Sequence, residues 1–330
     1  MSSPQPDRFA ATTTSYRTDF AGGTIRAKLV DLGVRATVKS IIGLWARYPY
    51  LPWPYHLVDF IGAVLPSPKG LARTRVMLDH CPAVLTTPKT VDLDRFVVYL
   101  HGGGFLVGGR RLHRQMTGRF ASDLRSRVLA VTYRKLPDHP IATSIADAVD
   151  GYRYALRAGI RPENITLMGD SAGGYLVLMA AIEIRRQGLP MPAAVVAMSP
   201  LTDWDMSEKL AAPTATECAV FTAASLPRFR ELAEKAAAGT PLESPATCDL
   251  TALPPTLIQA SSSEMLYPDA VLIARRLREH GVACELQVWP GQVHVFQAGV
   301  SVVPEAATAV AEIGTFLRRA AEVAGQERSA

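Results

Sequence analysis

The chain has little cysteine and no long apolar run. Only four cysteines occur in 330 residues, Cys81, Cys218, Cys248 and Cys284, with no C-x-x-C and no Cys/His spacing of the zinc type. A disulfide framework and a zinc site are excluded as organising devices, and the four thiols are expected to be reduced. No stretch approaches the roughly 18 uncharged apolar residues of a membrane span, and the N-terminus lacks the basic start and apolar core of a secretory signal. A cytoplasmic protein without a stable membrane span is the expectation. No internal repeat is visible. Charge of one sign is also scarce: 35 Lys and Arg stand against 30 Asp and Glu, a net charge of +5, and the basic residues are dispersed. That pattern speaks against a nucleic-acid partner, while adhesion to an acidic membrane surface stays open.

What is present is a globular composition, 48% hydrophobic and 20% charged, in a chain long enough for one large α/β domain with insertions. Short β-rich runs at 75–78, 96–100, 128–132, 165–168, 194–198, 256–260 and 285–288 alternate with helical patterns at 145–158, 175–186, 269–280 and 305–320. Several runs, such as V-V-Y-L and V-V-A-M, are apolar throughout, as strands covered on both faces of a parallel sheet must be. The alternation predicts a doubly wound α/β architecture. Two stretches interrupt it. Residues 21–66 read as amphipathic helices with Pro-rich connections, and 204–248 hold a helical run at 226–238 where a simple crossover needs far fewer residues. Packed together, they would cover the C-terminal edge of the sheet, where such folds bind ligands. Residues 1–20 and the last five or so look loose.

Ser171 stands out within N-I-T-L-M-G-D-S-A-G-G-Y. An apolar run stops at Gly169 and a helical one starts after Gly174, so Gly169-x-Ser171-x-Gly173 fits a strained strand-to-helix turn that projects a nucleophile. A serine that merely caps a helix in a Gly-rich loop would give the same short pattern. Upstream, His101-Gly102-Gly103-Gly104 follows the strand F-V-V-Y-L. Consecutive glycines let backbone N–H groups face a ligand, so the amides of Gly103 and Gly104, with that of Ala172, are candidate donors to an oxyanion. His101 reads as a loop anchor. Neither Gly-rich segment carries a phosphate-loop pattern.

A serine nucleophile requires a base. With the chain order serine, acid, histidine that goes with such a turn, His280 and His294 remain, and His280 before Gly281 looks like a helix end. His294, in P-G-Q-V-H-V-F after the last strand, is the expected base. For the acid, Glu264 in S-S-S-E-M-L-Y-P-D is the leading candidate, with Asp269 and Asp203 as alternatives. The cap-like segment also offers Trp45, Trp53 and Tyr55, as an acyl pocket or as cap core.

H-G-G-G at 101–104, G-D-S-A-G-G at 169–174, Y-R-x-L-P-D-H-P at 133–140 and G-x-x-H-V-F at 291–296 together resemble the hormone-sensitive-lipase-like esterases of the α/β-hydrolase superfamily. The likeness runs over roughly 70–320. It implies an α/β-hydrolase fold with a mostly parallel eight-stranded sheet, a catalytic domain at 71–203 and 249–330, and a two-part helical cap from 1–70 and an insertion at 204–248 after the sixth strand. It further implies a cofactor-independent, metal-free serine hydrolase acting on small carboxylic esters of short to medium chain length. Glu264 falls in the acid slot, a departure from the aspartate usual in the family. Asp170 and Asp138 match positions read as structural. A ligand-binding protein without turnover and an amidase or peptidase are the competing functions, and a homodimer is an open option.

Overall fold

The structure, a computed structural model, describes residues 11–13, 16–61, 68–91 and 95–327. Its centre is a ten-stranded sheet of β1 (Ala11–Thr13), β2 (Arg17–Phe20), β3 (Ala72–Met77), β4 (Pro82–Thr87), β5 (Phe96–Leu100), β6 (Arg127–Val131), β7 (Ile165–Asp170), β8 (Ala194–Met198), β9 (Thr256–Ala260) and β10 (Cys284–Val288). The spatial order is β1-β2-β10-β9-β8-β7-β5-β6-β4-β3. Pairing is parallel from β2 to β6, and β1 and the β4-β3 hairpin add antiparallel edges. The central strands β5, β7, β8 and β9 are buried at every position, which is why they read as unbroken apolar runs.

Eight strands were expected and ten are present. The additions β1 and β2 lie in the segment expected to be loose. Arg17–Phe20 is held by parallel pairing to β10, and Phe20 stacks on Trp289 at 3.8 Å, so the polar sequence R-T-D-F becomes ordered only through its neighbour. Residues 1–10 and 328–330, also expected to be loose, lie outside the described residues.

Helices flank the sheet: α1 (Ile25–Val34), α2 (Ser40–Arg47), α3 (Tyr55–Ile61), α4 (Arg114–Asp123), α5 (Ile141–Arg157), α6 (Ala172–Arg186), α7 (Ser207–Ala211), α8 (Thr214–Glu217), α9 (Ser225–Ala236), α10 (Tyr267–Glu279) and α11 (Pro304–Glu327). A five-residue π-helical stretch, Arg35–Lys39, joins α1 to α2. Helix α6 is buried along nearly its whole length, so it too lacks a polar face. Thr24 caps α1 by accepting the Ala27 N–H, while its own N–H and hydroxyl donate to the buried Glu305 of α11.

The two segments that interrupted the alternation pack on each other. Lys39 Nζ donates to the carbonyls of Thr216 and Cys218, Arg35 to that of Glu217, and Trp45 of α2 stacks on Phe229 of α9 at 4.3 Å. No helix among the described residues is long and apolar enough to cross a membrane. All four cysteines are free.

Candidate active site

The site lies at the C-terminal ends of β5, β7, β9 and β10. The chain must reverse direction between β7 and α6 within one residue, and Ser171 does this at φ 53°, ψ −118°. Glycine is required on either side by contact. A Cβ on Gly169 would lie 2.3 Å from the Gly173 carbonyl oxygen, and one on Gly173 would lie 2.0 Å from that of Leu100. The Ser171 N–H is satisfied by the Met198 carbonyl at 2.8 Å, which fixes the turn against β8.

Three expected residues come together in a line. His294 Nε2 lies 2.8 Å from Ser171 Oγ, and His294 Nδ1 lies 2.7 Å from Glu264 Oε2. Because an ionised carboxylate only accepts, Nδ1 carries the proton and Nε2 is left to accept from the serine hydroxyl. The other Glu264 oxygen accepts the Ser261 N–H at 3.1 Å, and Ser261 Oγ donates to the Gln292 carbonyl at 2.7 Å, tying the acid loop to the histidine loop. Val295, at φ 54°, turns the chain after the histidine, and its N–H donates to Ser199 Oγ at 3.1 Å.

The two alternative acids lie elsewhere in the hydrogen-bond network. Asp269, in the first turn of α10, pairs with buried Lys209 at 2.6 Å and accepts the N–H groups of Thr202 and Asp203. Burial raises its carboxyl above the ordinary aspartate range in spite of that lysine. Asp203 accepts from Ser244 Oγ and the Asp205 N–H. His280 ends α10, with Nδ1 2.8 Å from the Arg276 carbonyl.

The His101–Gly104 loop extends from β5, next to β7. Gly102 passes so close to Asp170 that a Cβ would meet its Oδ2 at 2.3 Å, and Asp170 Oδ1 accepts both the Gly102 N–H and the Tyr99 hydroxyl. Asp170 therefore positions the loop. Gly103 and Gly104 have φ of 117° and 60°, a left-handed pair that turns successive amides to one side. Ala172 opens α6, so its N–H has no intrahelical acceptor and lies at the positive end of the helix dipole. His101 is buried between Tyr133 at 4.4 Å and His113 at 5.0 Å. Burial first, then Lys135 and His113, push its pKa well below the usual histidine value, so it is neutral, with Nδ1–H donating to the Gly102 carbonyl.

A narrow cavity of about 30 Å³ at Ser171 and Gly104 is roofed by Phe221, Leu226 and Phe229 and walled by Trp204 and Met206. The Phe221 ring lies 4.9 Å from that of His294. These roof residues were not singled out in the sequence, because an aromatic in an inserted loop or helix has no spacing that marks it. Of the three candidate pocket aromatics, Trp45 packs on Phe229 from outside. Trp53 and Tyr55 line a wider cavity of about 970 Å³, together with Lys135 and Asp138, whose walls do not include Ser171.

Residues 97–298 match a family described as having the alpha/beta hydrolase fold. The chain is 38% identical over 294 residues to the esterase LipU of Mycobacterium tuberculosis, covering 86% of this chain and 99% of that protein. It is 36% identical over 311 residues to the carboxylesterase/phospholipase LipF of the same organism, covering 91% and 83%. A solved esterase of the bacterial hormone-sensitive lipase family superposes with a TM-score of 0.80 at 30% identity, covering 91% of this chain and all of that one. On this fold, these relatives and this site, the chain belongs to the hormone-sensitive-lipase-like esterases of the α/β-hydrolase superfamily and is a carboxylic ester hydrolase.

Proposed function

We propose that Ser171, His294 and Glu264 form the catalytic triad of this hydrolase and that the amides of Gly103, Gly104 and Ala172 form its oxyanion hole. Ser171 Oγ adds to the ester carbonyl carbon as its proton passes to His294 Nε2, and the carbonyl oxygen becomes an oxyanion facing the three N–H groups. The imidazolium, stabilised by Glu264, returns the proton to the departing alkoxide, which leaves as the alcohol. Water then gives a proton to His294 and attacks the acyl-serine, and the C–O bond to Ser171 breaks as the serine is reprotonated. The products are a carboxylic acid and the free enzyme.

The observation that carries this reading is the unbroken hydrogen-bonded line from Ser171 through His294 to Glu264, at 2.8 and 2.7 Å, beside a turn that only glycine neighbours permit. The segments 1–70 and 204–248 are read as a two-part cap over a catalytic domain of 71–203 and 249–330. A short- to medium-chain acyl group is part of this reading: the space under Phe221 and Phe229 holds roughly one water molecule, so each added methylene requires the roof side chains to move further. A cytoplasmic setting is part of the proposal, and a homodimer is left for sedimentation to read. Hydrolysis of a p-nitrophenyl acyl series by the wild type and by Ser171→Ala tests it. The expected result is turnover strongest on the shorter chains and lost in Ser171→Ala. Absence of wild-type turnover at every chain length overturns the assignment.

A further inference from the structure

Helices α1 and α2 form one rod with two unlike sides. The inner side is packed: Ala27 joins the core beside Phe20 and Trp289, and Trp45 stacks on Phe229 and donates to the Tyr55 hydroxyl at 3.0 Å. The outer side carries Ile25, Leu29, Leu32, Ile41 and Leu44, each more than half exposed. Their spacing is that of a single helical stripe. One turn beyond Ala36 a regular α-helix would present Ser40; the π-helical stretch Arg35–Lys39 widens that turn by a residue and carries the stripe on to Ile41. Leu57 and Phe60 of α3 are also more than half exposed, with the Arg111 guanidinium 4.0 Å over the Phe60 ring. Single exposed leucines need no explanation, but a continuous face of this size on one rod does.

Charge indicates what would cover it. Residues 25–61 hold five Arg or Lys and only two carboxylates. Both carboxylates are occupied: Asp31 pairs with Arg35 at 2.5 Å, and Asp59 accepts the N–H groups of Arg111 and Leu112 at 2.9 and 3.0 Å. Arg26 and Lys28 flank the stripe, are exposed, and make no ion pair among the described residues. Tyr48, also exposed, has Arg47 over its ring at 5.7 Å. Apolar side chains bordered by unneutralised cations and an amphipathic aromatic are the composition of a helix that lies in a bilayer interface. A second protein would need carboxylates aligned with Arg26 and Lys28, whereas an anionic lipid leaflet presents negative charge everywhere.

We propose that the outer face of α1 and α2 docks on a lipid bilayer that carries anionic headgroups. Docked in this way, α2 lies between the lipid and Phe229, the residue above Gly104. The proposal does not depend on the triad assignment, since it concerns residues on the far side of α2 from the serine.

Co-sedimentation of the full chain with vesicles of phosphatidylcholine containing phosphatidylglycerol, and with vesicles of phosphatidylcholine alone, tests it. Binding should be tighter to the anionic vesicles and weakened by about 0.5 M salt, where exposed charges are screened within a few ångströms. Arg26→Gln and Lys28→Gln should each weaken it by about 5-fold. Leu29→Asp combined with Ile41→Asp should weaken it by about 100-fold or more. All variants should hydrolyse p-nitrophenyl acetate in solution as the wild type does, which reports that the fold is intact. Failure to bind either vesicle, or equal binding by the apolar variant, overturns the proposal. So does a dimer in sedimentation velocity that Leu29→Asp/Ile41→Asp splits, because the face would then belong to a second copy of the chain.

Discussion

Removing Asp269 should damage the fold and largely spare the chemistry, and the reverse should hold for Glu264. The Asp269 carboxylate and Lys209 ammonium are 2.6 Å apart with both side chains almost wholly buried, and among the described residues Lys209 has only the Asp203 and Asp205 carbonyls as further partners. Asp269→Ala leaves that ammonium uncompensated, a loss of about 3–5 kcal/mol. For 330 residues the unfolding entropy is about 0.7 kcal/mol/K, so the melting temperature should fall by about 4–7 °C. Replacing both partners, as Lys209→Met/Asp269→Leu, should recover part of the loss. The remainder, about 2 kcal/mol, reflects the Thr202 and Asp203 N–H groups, which lose their acceptor. Burial raises the pKa of the Asp269 carboxyl in spite of Lys209, so desolvation offsets part of what the ion pair contributes, and stability declines as pH rises through the raised value. In contrast, Glu264→Gln should keep the shape of the acid loop and lower kcat on the order of 10,000-fold, because His294 loses the partner that fixes its tautomer. Thermal melts paired with kcat on p-nitrophenyl butyrate, measured well below the melting temperature, separate the two. A wild-type melt with collapsed kcat in Asp269→Ala would refute this reasoning and move the acid.

Three further outcomes follow from the site. His101 is held neutral in the fold while the unfolded chain protonates near pH 6.5, so its contribution is whole above that value and is lost as pH falls; between pH 6.5 and 5.5 the wild type should lose about 1 kcal/mol more in urea unfolding than His101→Gln. Gly104→Ala puts a Cβ 2.4 Å from the Phe229 ring, so kcat/KM should fall about 100-fold and partly return on adding Phe229→Leu. Phe221→Ala opens the roof beside His294, and the acyl-length optimum should lengthen, with about 4-fold in kcat/KM for each methylene newly buried.

Much of the framework was legible in the sequence because its physics is local. Strands buried on both faces are written as apolar runs, and the turn at Ser171 can be built only with glycine at 169 and 173. Hence β5, β7, β8, β9 and α6 were found close to their observed limits. The periphery was not: β1 and β2 are short and partly polar, β4 is only partly buried, and each is defined by the strand beside it, as Arg17–Phe20 is by β10. Glu264 and Asp269 are alike in sequence, both carboxylates in one loop-helix junction. What distinguishes them is distant in the chain, Lys209 for one and His294 for the other. The roof residues Phe221 and Phe229 were invisible for the same reason.

The contact of Gly173 with the Leu100 carbonyl has a mechanical consequence. The first turn of α6 bears directly on the last peptide of β5, and no space exists between them for even one extra carbon. The serine, carried by one element, and the glycine loop, carried by the other, are thereby locked as a single rigid jaw. If the proposed roles hold, substrates of different size cannot be accommodated by spreading that jaw, and any adjustment falls to the opposite wall, α9 and the Phe221 loop.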